Sequence, residues 1–285
     1  MFGTLANLWP YMWPAARADL KMRVVWATLF LVAAKIVLLL VPYSFKWATD
    51  ALVAVSEGKT PTAGVWLAIF SAPLYTGCRD DGHGYATPGP ERPRNARFWI
   101  PLLSMFGGLR LNEACQLDVA DIRRVEDVDC FVITERSEDD LTDKRLKTAS
   151  SERVVPIHAT LTDLGFMDFV RQRKRAGETK LFAEVGMGAT GYRSTTFSAW
   201  FRRFVVKAGA NSPKTCFHIF RHGFRDALRE ARIDRDIALI LGGWAAGSGS
   251  VSVSDAYGSG YRITTLKEAI DRISYSGLDL SHLRE

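Results

Sequence analysis

The hydrophobic positions along the chain divide it into two dissimilar parts. Residues 24–43 form an apolar run of bilayer-spanning length that one charge, Lys35, interrupts, and tryptophans and basic residues precede it. From about residue 71 the apolar positions instead recur at helical spacing or in short β-branched runs. This pattern predicts an apolar helical segment over 1–70, which inserts into a membrane or packs as a buried helix, followed by a separate domain over 71–285.

The second domain is predicted to be mainly α with a small antiparallel β-sheet, an α+β class. The runs CFVITE and RVVPIH flank a polar, charged stretch and are typical of strands in such a sheet. Apolar spacing over 98–117 is interrupted by Gly107 and Gly108, which favours the end of one helix and the start of another. Residues 78–97 are predicted to form an irregular loop. Further helical patterns lie near 160–175, 194–208, 217–231, 233–241 and 262–272.

Composition narrows the classes of function. The chain of 285 residues has a net charge of +6 and a pI of about 9.2, but the excess is spread thinly and does not by itself indicate nucleic-acid binding. The densest basic cluster is RQRKR, whose cations are Arg171, Arg173, Lys174 and Arg175. The four cysteines have neither paired nor metal-ligand spacing, which predicts reduced thiols in a cytosolic protein and no metal site.

The stretch KTCFHIFRHGFRDAL, residues 214–228, is predicted to be one helix with an unusual mixture of side chains. Its apolar positions are Phe217, Phe220, Phe224 and Leu228. Two histidines and two arginines lie among them, namely His218, Arg221, His222 and Arg225. A fixed guanidinium offers a planar fork of donors that suits phosphate oxygens, so this helix is a candidate phosphate clamp. The alternative is an ordinary amphipathic helix with a solvated charged face.

Further residues with catalytic chemistry occur in a fixed order along the chain. Arg110 is placed near a helix start by the two preceding glycines, and Glu113 is three residues on, where it can orient that guanidinium. Lys147 stands just before a predicted strand, where a loop would carry its flexible ammonium. Each residue has an ordinary structural explanation when it is taken singly. In chain order the series is Arg110, Lys147, His218, Arg221, Trp244 and Tyr257.

This series resembles the catalytic series of the tyrosine recombinases, the phage-integrase family. The resemblance covers residues 72–285 and extends to blocks such as GLRLNEACQL, KTASSERVVPIH, FHIFRHGF and YGSGY. It implies the tyrosine-recombinase catalytic fold and a site-specific enzyme that cuts and rejoins DNA through a 3′-phosphotyrosyl intermediate. It also implies double-stranded DNA as the partner, a homotetramer on paired DNA sites, and no cofactor.

The resemblance implies which residues perform the chemistry. Tyr257 would attack the scissile phosphate, and Arg110 and Arg221 would hold the charge on its non-bridging oxygens. Lys147 would act as the general acid that protonates the leaving 5′-oxygen. Because these cations neutralise the phosphate, no magnesium is expected.

Other residues would support that reaction. His218 would assist proton movement at the tyrosine, and Trp244 would pack and hydrogen-bond at the phosphate through its indole N–H. Glu113 and His222 are predicted to be supporting residues. The RQRKR cluster at 171–175 is predicted to contact the DNA backbone and to make binding salt-dependent.

The first part of the chain departs from the family pattern. Tyrosine recombinases usually carry a helical core-binding domain that closes a clamp on DNA, and the apolar segment stands in its place. Residues 5–65 loosely resemble the start of the membrane domain of ABC exporter half-transporters, for instance in PYSFKWATDAL. Arg17, Lys21 and Arg23 precede the apolar run, so the positive-inside tendency would keep the N-terminus in the cytoplasm and export the catalytic domain away from DNA.

Three interpretations therefore compete. The leading one is an active cytoplasmic recombinase. Its catalytic domain would be fused, near residues 60–72, to a segment encoded by the start of an unrelated membrane-protein gene. The second is an inactive DNA-binding integrase remnant fused to that fragment, because the clamp is missing. The third is a membrane protein, associated through residues 24–43, whose remaining part only binds a ligand. Solubility after deletion of residues 1–70 would favour the first two.

Overall fold

The chain divides into two compact units, 1–61 and 62–285. The second unit begins earlier than the boundary predicted after residue 70, because a helix over 62–70 buries Trp66 and Phe70 in its core. The structure, a computed structural model, describes residues 62–137, 144–146, 151–210, 215–244 and 260–284, with a few residues between 22 and 35.

In the first unit, the described residues are helical and exposed. Trp26 and Phe30 are both helical, with their ring centroids 6.1 Å apart and exposed fractions of 55% and 69%. Among the residues that the structure describes, no helix has the length and apolarity needed to cross a membrane. Most of the apolar run over 24–43 lies outside the described residues, so its insertion into a membrane stays a prediction.

The second unit combines short helices with one three-stranded antiparallel sheet, so the predicted mainly α class with a small sheet is confirmed. The described strands are β1 (Ile122–Val125), β2 (Val128–Ile133) and β3 (Arg153–Pro156). The described helices are α1 (Thr62–Phe70), α2 (Pro73–Thr76), α3 (Ala96–Gly107), α4 (Leu111–Cys115), α5 (Ala159–Asp163), α6 (Phe166–Arg175), α7 (Arg193–Lys207), α8 (Ile219–Glu230), α9 (Arg235–Gly242) and α10 (Ile263–Asp271). Short 3-10 turns cover Val119–Asp121 and Ser281–Leu283.

Left-handed glycines set two of the helix boundaries. Gly108 has a φ of 64° and ends α3, as the paired glycines predicted. Gly165 has a φ of 87° and divides the helical pattern over 160–175 into α5 and α6, a break that the sequence analysis did not predict. A side chain strains this backbone region, so glycine is the residue that fits both turns. The four later helices lie within two residues of their predicted ranges.

The sheet has one strand more than predicted. β2 and β3 correspond to the two predicted runs, and Phe131 of β2 pairs with Val155 of β3 on one side and Ile122 of β1 on the other. β1, with the sequence IRRV, was missed because two of its four side chains are exposed arginines. The turn between β1 and β2 was also not recognisable from the sequence. Glu126 and Asp127 adopt positive φ values there, which asparagine or glycine usually adopts in hairpin turns.

Helix α8 lies at the centre of the core. Its predicted apolar face is confirmed, because Phe217 just before the helix and Phe220, Phe224 and Leu228 within it are buried. Trp66 of α1 stacks on Phe220 with ring centroids 5.0 Å apart, and a Cβ on Gly223 would lie 2.7 Å from the Trp66 ring. Packing against α1 and α3 therefore fixes the rotation of α8 and, with it, the directions of its histidines and arginines.

Candidate active site

A cleft of about 250 Å³ lies between the start of α4 and the start of α8. Its polar lining includes Arg110, His218 and Arg221. The other lining residues are Leu109, Leu111, Ser198, Cys216 and Phe217. The fold therefore brings Arg110 together with two residues that are distant from it in the sequence, as the predicted series required.

Arg110 is the N-cap residue of α4, and its guanidinium is held on three sides. Nη1 donates to Glu113 Oε1 at 2.5 Å and to Ser151 Oγ at 2.9 Å, while Nη2 donates to the carbonyl of Gly243 at 3.1 Å. Among the described residues, these contacts use three of its five N–H donors. The Nε–H and one Nη2–H make no hydrogen bond among the described residues.

Glu113 is a buried carboxylate between two arginines. Its Oε2 accepts hydrogen bonds from the backbone N–H of Arg110 and from Nη2 of Arg153, both at 2.9 Å. Burial opposes the ionisation of Glu113, but the charge of Arg153 and the hydrogen bonds from both arginines outweigh it and lower the pKa of this carboxyl. Glu113 is therefore ionised at neutral pH and orients the Arg110 guanidinium.

Arg153, at the start of β3, belongs to the same network and was missed in the sequence analysis. Its Nε donates to the carbonyl of Leu241 at 3.0 Å, and its Nη1 donates to the carbonyl of Ser151 at 2.9 Å. It thereby ties β3 to the end of α9. The available signal was an arginine in the same short run as the apolar residues VVP, because an arginine on a partly buried strand needs a partner.

Arg221 is buried, with 4% of its surface exposed, and its guanidinium is fixed by two backbone carbonyls. Nη1 donates to the carbonyl of Gly108 at 2.5 Å, and Nη2 donates to the carbonyl of Gly242. Burial, assisted by the charges of Arg110 and Arg153, lowers the pKa of Arg221 to about 9. The group remains cationic at neutral pH, and binding of an anion would relieve the repulsion that lowers its pKa.

Trp244 packs against Arg221. It follows Gly243, whose φ of 57° ends α9 and turns the chain toward α8. The Trp244 ring centroid is 4.8 Å from Cζ of Arg221 and 5.3 Å from Cζ of Arg225, which are cation–π distances. Trp244 thus lies beside Arg221, which lines the cleft, and its ring also contacts Arg225.

The two histidines of the helix occupy its exposed side. His218 is the N-cap residue of α8 and lines the cleft, whereas His222 lies one turn later and is not among the lining residues. Their rings are nearly perpendicular, with centroids 4.7 Å apart. The roles predicted for His218 and His222 stay predictions.

The basic cluster does not join the cleft. Its cations, Arg171, Arg173, Lys174 and Arg175, lie at the end of α6, and none of them is among the described cleft residues. Arg171 pairs with Asp168, and Nη2 of Arg173 lies 3.0 Å from Glu184. Part of the cluster's charge is therefore neutralised within the fold, and its contact with DNA stays a prediction.

Two residues of the predicted series, Lys147 and Tyr257, lie outside the described residues, so their position relative to the cleft stays a prediction. In the part of the chain that the structure describes, no group of three or more histidine, cysteine or acidic side chains is arranged to hold a metal ion.

Comparison with known proteins identifies one family. The family model described as the phage integrase family matches residues 94–251, more than half of the chain. No curated protein matches the sequence. Among solved structures, an integrase from mycobacterium phage Brujita is similar, with 17% identity and a TM-score of 0.44 over 78% of this chain and 62% of that one. The chain thus spans less than two thirds of that relative, and residues 5–65 gain no support for their likeness to an ABC exporter.

Proposed function

Because the chain belongs to the phage integrase family, we propose that it is a tyrosine-type site-specific recombinase that cleaves and rejoins double-stranded DNA. The observation that carries the proposal is the convergence of Arg110, Arg221 and His218 on one cleft, with both guanidinium groups held in place before any ligand binds. Preorganised donors of this kind stabilise the charge that develops on a phosphate during attack.

The scissile phosphate is proposed to sit in this cleft between the two arginines. Arg110 retains two unoccupied N–H donors among the described contacts, and Arg221 retains its Nε–H and one hydrogen on each terminal nitrogen. Together with Lys147 these groups supply the positive charge that phosphoryl transfer needs, so the proposal includes no cofactor.

The proposed reaction begins when the hydroxyl oxygen of Tyr257 attacks phosphorus. A bond forms between the tyrosine oxygen and phosphorus, the bond from phosphorus to the 5′-oxygen breaks, and a 3′-phosphotyrosyl intermediate results. His218 takes the tyrosine proton, and Lys147 gives a proton to the departing 5′-oxygen. A 5′-hydroxyl from another strand then reverses these steps, which rejoins DNA without an external energy source.

The assembly and compartment follow from this reaction. Exchange of strands between two duplexes needs a nucleophile at every cut strand, so we propose a homotetramer on paired sites. The DNA substrate favours the cytoplasm. Association with a membrane through residues 24–43 has no support among the described residues and is not part of the proposal.

A covalent-trapping experiment tests the proposal. Nicked duplexes that an intact relative cleaves, incubated with the full chain, are expected to yield a covalent protein–DNA band that Tyr257→Phe abolishes. Tyr261→Phe is the matched control, because it alters the second tyrosine of the same YGSGY motif and is expected to keep the band. Arg221→Lys is expected to slow cleavage by about two to three powers of ten.

Two results would count against the proposal. Loss of the band in Tyr261→Phe and its persistence in Tyr257→Phe would show that the nucleophile is assigned wrongly. No band from the wild-type chain, on substrates that an intact relative cleaves, would favour an inactive integrase remnant.

A further inference from the structure

A buried cluster of charges includes Lys144, which precedes Lys147 by three residues in the sequence. Nζ of Lys144 is 2.6 Å from Asp118 Oδ2, 2.7 Å from Asp121 Oδ2 and 3.0 Å from the carbonyl of Arg136. The Lys144 and Asp118 side chains are each 1% exposed, and the Asp121 side chain is 5% exposed. Lys144 therefore reaches from the connection between β2 and β3 into the interior, next to the turn that precedes β1.

A second lysine binds the other side of the same carboxylate. Nζ of Lys180 lies 2.7 Å from Asp118 Oδ1. Burial opposes the ionisation of Asp118, but its hydrogen bonds with the two lysines lower its pKa, so it keeps its charge. Lys180 belongs to the segment after α6, far along the chain from the β2–β3 connection.

The residues after Lys144 are also tied to the domain. The backbone N–H of Arg145 donates to Gln116 Oε1 at 3.0 Å, and its carbonyl accepts from Nδ2 of Asn112 at 3.1 Å. The backbone N–H of Leu146 donates to Glu135 Oε1 at 2.8 Å. Arg145, two residues before Lys147, is thus attached to α4 and its C-cap, and Leu146 is attached to Glu135 just after β2. Helix α4 is the one that Arg110 caps at the edge of the cleft.

Stability alone does not explain this arrangement. Removal of an ammonium and a carboxylate from water costs several kcal/mol per ion, and well-packed apolar residues often stabilise a protein equally well. A buried ion pair does, however, specify one position for the segment that carries it. In this chain that segment leads in one step from Leu146 to Lys147.

We infer that Lys144 is a positioning residue, whose ion pairs with Asp118 and Asp121 set the reach of Lys147 toward the leaving 5′-oxygen. The inference rests on the proposed function, in which Lys147 is the general acid. A displacement of about 1 Å in a reacting group lowers the rate by about a hundredfold. Loss of the Lys144 anchor is expected to act through that displacement and to leave the phosphate-binding arginines in place.

Two substrates separate this role from a structural one. The first is the ordinary nicked duplex, and the second has sulfur in place of the bridging 5′-oxygen, because a thiolate leaves without protonation. The Lys144→Met variant of the full chain is expected to cleave the oxygen substrate about a hundredfold more slowly than the wild type. It is expected to cleave the sulfur substrate within about threefold of the wild-type rate. Lys147→Met should show the same pattern.

Lys180→Met is the matched control, since it removes the other lysine from Asp118 without releasing the β2–β3 connection. It is expected to lower the urea midpoint but to cleave both substrates at near the wild-type rate. Should Lys144→Met fail to fold, Asp121→Asn removes one carboxylate charge at constant size and is expected to give the same rescue by sulfur.

The outcomes separate a failure of the proposed function from a failure of the positioning role. Failure of the wild-type chain to cleave either substrate would overturn the proposed function. If the wild type cleaves both, the positioning role is overturned when a folded Lys144 or Asp121 variant is unimpaired on oxygen, or is equally slow on oxygen and sulfur.

Discussion

Replacement of Glu113 by glutamine is the most direct test of how the cleft arginines are held. The substitution keeps the size of the side chain and removes its charge. Arg110 and Arg153 would then lie against a neutral amide, close to the charge of Arg221. We expect Glu113→Gln to destabilise the fold and to slow DNA cleavage, because the same network that stabilises the domain also orients Arg110.

The magnitude follows from the contacts. Three hydrogen bonds converge on the carboxylate, two from Arg110 and one from Arg153. Hydrogen bonds to a charged group contribute about 1.5 to 3 kcal/mol each, and glutamine offers one acceptor oxygen in place of two. The loss of one or two such bonds gives a decrease of about 3 kcal/mol in the free energy of unfolding, which agrees with the cost of breaking a buried ion pair.

Urea unfolding of the full chain at pH 7, followed by tryptophan fluorescence, measures this change. The control is Asp226→Asn, which breaks an exposed pair with Arg229 on α8, where both side chains are more than half exposed. Such a pair contributes at most about 1 kcal/mol. A Glu113→Gln protein as stable as the control would refute the claim that the carboxylate holds the two arginines.

The same variant has a defined pH signature. The pKa of Glu113 is lowered in the folded state, so the unfolded chain binds the proton more tightly. The stability that this ionisation contributes is complete above the unfolded pKa of about 4.3 and is lost as the pH falls through the folded value. The wild type should therefore lose more stability than Glu113→Gln between pH 6 and about pH 3. Parallel stability curves for the two proteins would contradict this account.

Three further results are expected from the structure. Gly108→Ala should lower the free energy of unfolding by about 3 kcal/mol, because the φ of Gly108 is 64° and an added Cβ would lie 2.4 Å from the Phe224 ring. The control Gly177→Ala, at a φ of 71° with open space around it, should lower that free energy by only about 1 kcal/mol, and equal urea midpoints for the two variants would contradict this. Burial lowers the pKa of His158 in the folded state, so the wild type should lose stability as the pH falls below about 6.5, the pKa of histidine in the unfolded chain. Urea unfolding of His158→Asn at pH 7.5 and 5.5 should show no such loss. Trp244→Leu should slow covalent trapping about tenfold, because it removes the cation–π contact with Arg221, whereas Trp244→Phe should retain most of the rate. Identical rates for the two variants would exclude a role for the face of the aromatic ring.

Local patterns in the sequence were sufficient for much of the fold. The phenylalanine spacing of residues 217–228 predicted a buried helix face, and α8 buries those positions. The paired glycines before Arg110 predicted a helix break there, which Gly108 makes. Such features depend on residues within one or two turns of each other, so the sequence alone expresses them.

The missed features depend on contacts between distant residues. β1 was not predicted because its arginines obscure the alternation that marks a strand, and only its pairing with β2 identifies it. Arg153 and Lys144 were not among the predicted site residues, yet the fold buries the side chain of each one against a carboxylate that lies elsewhere in the chain.

The sequence by itself determined the amphipathic helices, two strands of the small sheet and the order of the residues that resemble an integrase site. Only the tertiary structure decided that Arg110 and Arg221 face one cleft, that Glu113 is shared between Arg110 and Arg153, and that Lys144 is an internal anchor. The physical reason is that periodicity reports which face of an element is apolar. The partner of a buried charge depends on which elements pack together, and no local pattern contains that information.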